Sequence, residues 1–432
     1  NNISSIDKLT FNTLLNLILL RLTGNKLRSL DNKVFEPLKS LRTIYLNSNE
    51  LQVIESGIIA KNTKLQFLLL QNNHINMVEE GAFLVENLEA SSSNLTIVSL
   101  SNNKLTKLNL GTIKVNQLLA NNSITSLESI QQFHSLVDLD LSNNHIGPLN
   151  ITSLAKLANL QQLGLERTFI SNLQHGTFAQ QQSLKWLDIS YNNLDRFDFD
   201  ILTSSAALQQ IFLDGNRLKS LNYEHLKKTA LHLKNLYLKS NELQELNADC
   251  FYGAAVLLDL DLSFNNISSI DRMAFNTLSK LLVLWMSGNK LRSLDSRVFE
   301  PLQATLSFKH FTRKTIEYRM LQARNLQNLD LSSNAIEQLN ANCFSGATAL
   351  LELNLSFNKI SSIDRMAFNT LSNLELLRLT GNKLRSLDNK VFQPLESLHT
   401  IYLNSNELQV IEAGLFVENS KLKNMLLQNN HI

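Results

Sequence analysis

Apolar residues recur at fixed offsets before an asparagine about every 24 residues along this 432-residue chain. In the first copy, LRLTGNKL, Leu20 and Leu22 precede Asn25. Two leucines that are two residues apart point to one side of a short strand, and the residue between them points to the other side. The repeated pattern L-x-x-L-x-L-x-x-N-x-L therefore predicts a solenoid in which each turn adds one strand to a parallel sheet.

The asparagine of each repeat follows where the chain must bend away from its strand. An amide can donate and accept hydrogen bonds at once, so it can pair with backbone groups that the turn would bury. We expect a ladder of amides, with a weak rung at Thr168, which holds the ladder position without an amide. The ladder positions are Asn25, Asn49, Asn73, Asn103, Asn122, Asn144, Asn192, Asn216, Asn241, Asn265, Asn289, Asn334, Asn358, Asn382, Asn406 and Asn430.

A phenylalanine follows most ladder asparagines ten residues later. Such a column predicts an aromatic spine stacked on the convex side of the core, made of structural residues with no function of their own. Its members are Phe11, Phe35, Phe83, Phe178, Phe251, Phe275, Phe299, Phe344, Phe368, Phe392 and Phe416.

The combined pattern LxxLxLxxNxLxxLxxxxFxxLxx resembles the repeats of extracellular leucine-rich repeat proteins, such as Toll-type receptors, Slit-type guidance proteins and decorin-type matrix proteins. The resemblance implies an α/β fold, a right-handed horseshoe of about 18 turns with a concave parallel sheet and irregular or short helical segments outside. The stretch ITSLAKLANLQQLGLERTFISNLQHGTFAQQQSLKWLDISYNNL is similar to the repeat domains of mosquito leucine-rich immune proteins. That similarity implies a secreted plasma protein that holds a complement-like partner.

One repeat array is expected over residues 1–432, because no Pro-rich or Gly/Ser-rich linker divides the chain. Terminal repeats normally carry polar caps, so we expect a stretch of a longer protein that lacks both caps. No apolar run reaches transmembrane length, and any membrane contact would come from segments outside this sequence.

The segment 303–325 is irregular and basic, with Lys309, Arg313 and Lys314. A decayed turn, a projecting basic loop and a disordered excursion are all open for it.

The sequence argues against an enzyme. It holds no nucleophile elbow, phosphate loop or metal-ligand spacing, so no catalytic residue, metal or cofactor is expected. Cys250 and Cys343 are predicted to be small, buried free thiols, because they lie too many turns apart for a disulfide. A net charge of +2 argues against general attraction to nucleic acids or membrane surfaces.

The residues between the core leucines should form an open face with acids and aromatics through its middle. Exposed aromatics are enriched at binding hot spots, and acids supply steering and register. We therefore hypothesise a basic protein partner; the alternative is a solvated face whose aromatic rings pack sideways along the sheet. We expect Trp186, Phe212 and Tyr237 in one row, with Asp188 and Asp214 one column over. The candidate partner-binding residues are Trp186, Asp188, Phe212, Asp214, Tyr237, Asp259, Asp261 and Trp285, and the same stripe continues through Asp138, Asp140, Glu166, Asp330 and Glu352.

N-x-[ST] triplets favour an extracellular location, as a secreted protein or an ectodomain. They lie at Asn2, Asn94, Asn121, Asn150, Asn266 and Asn354. The sequence thus predicts non-enzymatic protein recognition outside the cell, in innate immunity. An adhesion or guidance receptor ectodomain and an intracellular repeat scaffold are the alternatives.

Overall fold

The computed structural model describes residues 1–85, 94–107, 116–128, 136–150, 152–221, 232–295, 297–302 and 326–432. These residues form two compact units. Unit 1 comprises Asn1–Leu194 and Ile201–Leu208, and unit 2 comprises Asp195–Asp200 and Gln209–Ile432. Each unit is a stack of short parallel strands of the predicted kind. The single array over 1–432 stays a prediction.

Unit 1 contains ten strands. They are β1 (Leu19–Arg21), β2 (Thr43–Tyr45), β3 (Val53–Ile54), β4 (Phe67–Leu69), β5 (Met77–Val78), β6 (Ile97–Ser99), β7 (Asn116–Leu118), β8 (Asp138–Asp140), β9 (Gln162–Gly164) and β10 (Trp186–Asp188). The three-residue strands form one parallel sheet in the order β1-β2-β4-β6-β7-β8-β9-β10. The two-residue strands β3 and β5 pair separately, also in parallel.

Unit 2 contains thirteen strands. They are β11 (Gln210–Phe212), β12 (Asn235–Tyr237), β13 (Glu245–Leu246), β14 (Asp259–Asp261), β15 (Ser269–Ile270), β16 (Val283–Trp285), β17 (Asn328–Asp330), β18 (Gln338–Leu339), β19 (Glu352–Asn354), β20 (Ser362–Ile363), β21 (Leu376–Arg378), β22 (Thr400–Tyr402) and β23 (Asn424–Leu426). The three-residue strands form a parallel sheet in the order β11-β12-β14-β16-β17-β19-β21-β22-β23. The shorter strands pair as β13–β15 and β18–β20.

The connections opposite the strands are mostly turns. The described part of the chain has two 3-10 helices, Phe199–Leu202 and Glu300–Leu302, and no α-helix. In most of the three-residue strands the middle residue is buried and its neighbours are partly or fully exposed on the open face; Leu260 and Leu284 are both fully buried, for example. This alternation confirms the predicted parallel solenoid, in which leucines face inward and the residues between them face outward.

The ladder asparagines from Asn25 to Asn406 are buried and hydrogen-bonded as predicted, Asn430 is half-buried, and Asn265 shows the arrangement. Its Nδ2 donates to the carbonyl oxygens of Leu238 at 2.9 Å and Leu262 at 3.0 Å. Its Oδ1 accepts from the backbone N–H of Leu243 at 3.0 Å. One amide thereby joins two turns and satisfies three backbone groups.

The rung at Thr168 differs from the others. Its hydroxyl donates to the Leu165 carbonyl oxygen at 2.7 Å, within its own turn. The backbone N–H of Ile146, which occupies the place that other turns pair with a ladder amide, has no hydrogen-bond acceptor among the described residues. The Thr168 side chain therefore makes no hydrogen bond to the preceding turn. This position lacks the inter-turn hydrogen bonds that the ladder asparagines make.

The phenylalanine spine is stacked through unit 2. From Phe251 to Phe416 successive rings lie 5.5 to 6.5 Å apart, centroid to centroid, with planes within 20° of parallel. In unit 1, Phe11 and Phe35 stack in the same way at 6.4 Å. The prediction of a structural aromatic spine is confirmed for these residues.

The turns on either side of residues 303–325 are direct neighbours. Strand β16 pairs with β17, with Val283 opposite Asn328. The Asn334 amide donates to the Met286 carbonyl oxygen at 3.0 Å. The segment 303–325 lies outside the described residues, and the strands on either side of it, β16 and β17, pair directly. The expected 18 turns included one there, and the described residues hold 17 three-residue strands.

Candidate binding surface

Among the eight candidate residues, Trp186, Phe212 and Tyr237 do not form the predicted row. Trp186 and Asp188 lie in unit 1, and the other six lie in unit 2. Trp186 is the first residue of its strand, whereas Phe212 and Tyr237 are the third residues of theirs. The expected alignment of Trp186 with the other two rings is wrong, because Trp186 lies six residues before its ladder asparagine, whereas Phe212 and Tyr237 lie four residues before theirs. Counting back from the ladder asparagine of each turn would have shown the shift.

In unit 1, Asp188 is partly buried beside polar neighbours. Its Oδ1 accepts from the backbone N–H of Ser190 at 2.8 Å. Burial raises the pKa of the Asp188 carboxyl, while bonds from Ser190 act against the rise. Asp140 accepts from Ser142 in the same manner, at 3.0 Å. These carboxylates are held in fixed orientations at the open face.

In unit 2, Phe212 and Tyr237 stack on each other, with centroids 4.6 Å apart and planes 20° from parallel. The two rings therefore pack sideways along the sheet. The Tyr237 hydroxyl donates to Oδ2 of Asp259 at 3.1 Å. Burial and the nearby Asp259 charge raise the pKa of Tyr237 to about 12, and burial raises the pKa of Asp259. Tyr237 is thus a neutral hydrogen-bond donor to the partly desolvated carboxylate of Asp259.

A second group, which we call the central row, consists of Asp261, Trp285 and Asp330, the third residues of β14, β16 and β17. The register places Trp285 directly between the two acids. Adjacent strands lie about 4.8 Å apart, so the three side chains are close neighbours. Trp285 is 39% exposed. Each acid accepts a backbone N–H at 2.8 Å, from Ser263 and Ser332 respectively, which fixes both carboxylates.

Asp330 belongs to the continuing acidic stripe and not to the eight candidate residues, because the sequence spacing did not place it beside Trp285. The 45 residues between Asn289 and Asn334 suggested an intervening turn, which would separate Trp285 from Asp330 by a strand. The direct pairing of β16 with β17 removes that separation. Asp214 lies beyond the end of β11, where its Oδ1 accepts from the backbone N–H of Lys239 at 2.7 Å.

Farther along unit 2, the open face carries its own cation. The Arg378 guanidinium lies over the Tyr402 ring, 5.7 Å from its centroid. It also forms an ion pair with Glu352 at 3.6 Å. In unit 1, Arg21 lies over Tyr45 at 4.4 Å in the same sequence context. The fold thus accommodates an arginine across neighbouring strands of this face.

The sequon asparagines differ in exposure. Asn2, Asn94, Asn121 and Asn150 are exposed, whereas Asn266 and Asn354 are half-buried. Asn354 ends β19 on the open face, and its Oδ1 accepts from the backbone N–H of Ser356 at 3.1 Å. A glycan at Asn354 would cover the neighbouring strands. Their use as glycosylation sites stays a prediction.

The remaining candidates for reactive or metal-binding chemistry are the two cysteines and any clusters of His, Cys, Asp or Glu in the described part of the chain. Cys250 and Cys343 are buried free thiols, as predicted, and burial raises the pKa of both to about 12. Such thiols are poor nucleophiles. Across the described ranges, no group of three or more His, Cys, Asp or Glu residues is arranged to hold a metal ion. None of the helices seen there is long and apolar enough to span a bilayer.

The repeat family is confirmed by sequence comparison. A sequence profile of the family described as Leucine rich repeat matches residues 1–51, 19–75, 158–218, 206–267, 231–291, 257–306, 324–384 and 372–432. These matches cover well over half of the chain, and the chain belongs to this family. It is similar to Podocan-like protein 1 of Mus musculus, with 32% identity over 152 residues, which are 34% of this chain and 26% of that protein. The match thus spans about a quarter of that relative's length.

Solved structures show the same fold. The glycosylated form of the Toll - Spatzle complex, described as a molecular hub in Drosophila development and innate immunity, matches with a TM-score of 0.72 at 24% identity. The match covers 93% of this chain and 52% of that chain. A TLR13-ssRNA13 complex matches with a TM-score of 0.53 at 20% identity, covering 99% and 69%. At these identities the likeness concerns the fold alone.

Proposed function

We propose that this chain is a non-enzymatic recognition module whose open face binds a protein partner outside the cell. The central row carries the proposal: it places an exposed indole between two oriented carboxylates on the face formed by β14, β16 and β17. Large aromatic rings supply much of the free energy at protein interfaces, and acids set orientation and association rate.

A basic protein partner fits this face best. Asp259, Asp261 and Asp330 bring three carboxyl groups together within three adjacent strands. The same acids disfavour the phosphates of a nucleic acid, whose binding depends on Lys and Arg. The glycosylated Toll - Spatzle complex shows that this fold can hold a protein ligand, and we carry a protein ligand and a role in innate immunity over to this chain as part of the proposal. The complement-like partner rests on the resemblance of the central stretch to mosquito immune proteins.

The test of this function is a comparative capture from the extracellular fluid of the source organism. The bait variants are the wild type, a face variant with Asp261→Ala, Trp285→Ala and Asp330→Ala, and a control variant. The control carries Glu245→Ala, Met273→Ala and Met366→Ala, three exposed residues outside the three-residue strands. We expect the wild type and the control to retain a shared protein that the face variant loses. Equal retention by all three baits, or retention of RNA alone, would refute the proposal.

The extracellular location has a separate test. Protein purified from its native source should carry glycans at the exposed sequons Asn2, Asn94, Asn121 and Asn150, as measured by mass spectrometry with and without an N-glycosidase. Unmodified asparagines at all four positions would favour the intracellular scaffold instead.

A further inference from the structure

We infer that the central row is a subsite for one arginine side chain of the partner, whose guanidinium lies over Trp285 and pairs with Asp261 and Asp330. This inference rests on the proposed function and deepens it. It specifies the chemical group that is recognised and adds Asp330 to the residues that recognise it.

The first argument is an arrangement inside the same sheet. Arg378 lies over Tyr402 on the following strand and pairs with Glu352 on the preceding strand. Arginine, an aromatic ring and a carboxylate therefore meet across three adjacent strands of this fold. Guanidinium groups stack on aromatic faces and bind carboxylates with matched planar geometry.

The second argument is that the central row brings the same kinds of group, an aromatic ring and carboxylates, together on three adjacent strands without a cation. The aromatic ring is Trp285, and the carboxylates are Asp261 and Asp330 on the strands at either side. No Lys, Arg or His of the described residues forms an ion pair with either acid. Asp261 and Asp330 stand two strand spacings apart, about 10 Å, with Trp285 between them, so one guanidinium over the ring would lie between the two carboxylates.

The third argument is preorganisation. Ser263 and Ser332 hold one oxygen of each carboxylate through backbone N–H bonds at 2.8 Å, which leaves the other oxygen of each for a ligand. A guanidinium has five N–H donors and can reach several acceptors, whereas a lysine ammonium has three on a single atom. The subsite should therefore prefer arginine to lysine.

The chain offers a direct readout, because it contains two tryptophans. In a Trp186→Phe background, Trp285 is the only tryptophan, and its fluorescence reports the subsite itself. The probes are N-acetyl-arginine amide, N-acetyl-lysine amide and N-acetyl-citrulline amide, the last being a neutral isostere of arginine. We expect a saturable change with the arginine probe in the millimolar range, about tenfold weaker binding of the lysine probe, and none of the citrulline probe.

The matched variants remove equal charge inside and outside the row. Asp261→Asn with Asp330→Asn should weaken the arginine probe about tenfold or more, and Glu245→Gln with Glu337→Gln should leave it unchanged. Equal responses to arginine and citrulline, or an unaffected Asp261→Asn with Asp330→Asn variant, would overturn the subsite. Binding that appears only after Lys309, Arg313 and Lys314 are changed to Gln would overturn the partner as the occupant, because the chain's own basic segment would then fill the subsite.

The two proposals fail separately. If the face variant loses its captured protein while the arginine probe does not bind, the arginine subsite is refuted and protein recognition stands. If the probe binds as expected while the face variant retains every protein, the subsite stands and the proposed function is refuted.

Discussion

The buried side and the open face of each unit are built from the same strands but follow different rules. On the buried side, most turns repeat the same contacts: a ladder amide that joins two turns and, in unit 2 from Phe251 onward, a phenylalanine stacked on the next one. On the open face, neighbouring turns differ. Asp261, Trp285 and Asp330 follow one another in one row, and Arg378 and Tyr402 stand farther along the same row.

This difference separates stability from recognition. A buried position must meet the same geometry in every turn, so one residue type serves all turns and carries no information about a ligand. A position on the open face meets solvent or a partner, so its residue type is set by what binds there. Substitutions on the two sides should therefore change different measurable quantities.

The largest effect is expected at the spine. Phe344 is fully buried between Phe299 at 6.1 Å and Phe368 at 6.0 Å. Phe344→Ala should lower the free energy of unfolding by about 3–5 kcal/mol, because the cavity cannot close between fixed turns. The matched control is Phe357→Ala, since Phe357 is 62% exposed and should change stability by roughly 0.5 kcal/mol or less. Equal losses by urea denaturation would show that the two sides do not differ.

A smaller loss is expected at a core leucine. Leu379 is fully buried just beyond β21, and Leu379→Ala should cost about 2–5 kcal/mol locally. Leu376→Ala, on the open side of the same turn, is the control and should cost far less. Because turns contact only their neighbours, unfolding need not be two-state, and local protection from hydrogen exchange is the better measurement. A loss below about 0.5 kcal/mol at Leu379 would contradict the repeat frame.

How much the sequence could predict follows from the same contrast. Leu260, Asn265 and Phe344 could be assigned to the buried side, because a fixed period encodes a fixed environment. The pairing of Trp285 with Asp330 could not be predicted, because the period does not say where the chain rejoins the sheet after an insertion. A second set of buried amides was also missed. Asn419, for example, donates to the carbonyl oxygens of Phe392 and Leu395, both at 2.9 Å, and no motif marks this position in every turn.

Placing an asparagine at position 168 should restore the missing hydrogen bonds of the ladder and raise the free energy of unfolding. Thr168→Asn would supply an acceptor for the backbone N–H of Ile146 and a donor toward the preceding turn. Net hydrogen bonds contribute about 0.5–1.5 kcal/mol each, so we expect a gain of about 1 kcal/mol in the free energy of unfolding. Thr168→Val, which keeps the shape and removes the hydroxyl, is the control and should lose stability. No gain in Thr168→Asn would mean that the amide cannot adopt the ladder geometry in this turn.

The smallest effect on the free energy of unfolding is expected at Asp259, a partly buried carboxyl group on the open face. Burial raises the pKa of Asp259, so ionising this carboxyl costs folding stability. The cost is absent below the ordinary value of 3.8 and complete above the raised value in the folded protein. Asp259→Asn removes the charge and keeps an acceptor for the Tyr237 hydroxyl. At pH 7 it should be more stable than the wild type by less than about 1 kcal/mol, because solvent screens a half-exposed group.

The stability difference between Asp259→Asn and the wild type should depend on pH. The advantage of Asp259→Asn should shrink as the pH falls through the acid range and vanish once the wild-type carboxyl is protonated in both states. Tyr237→Phe removes a donor that favours the charged form, so it should lower stability at pH 7 in the wild-type background and less so beside Asp259→Asn. Urea denaturation between about pH 3 and pH 8 measures both effects. If the free energies of unfolding of wild type and Asp259→Asn change in parallel with pH, the Asp259 carboxyl is as well solvated in the folded protein as in the unfolded chain. Its charge would then not limit stability at this position.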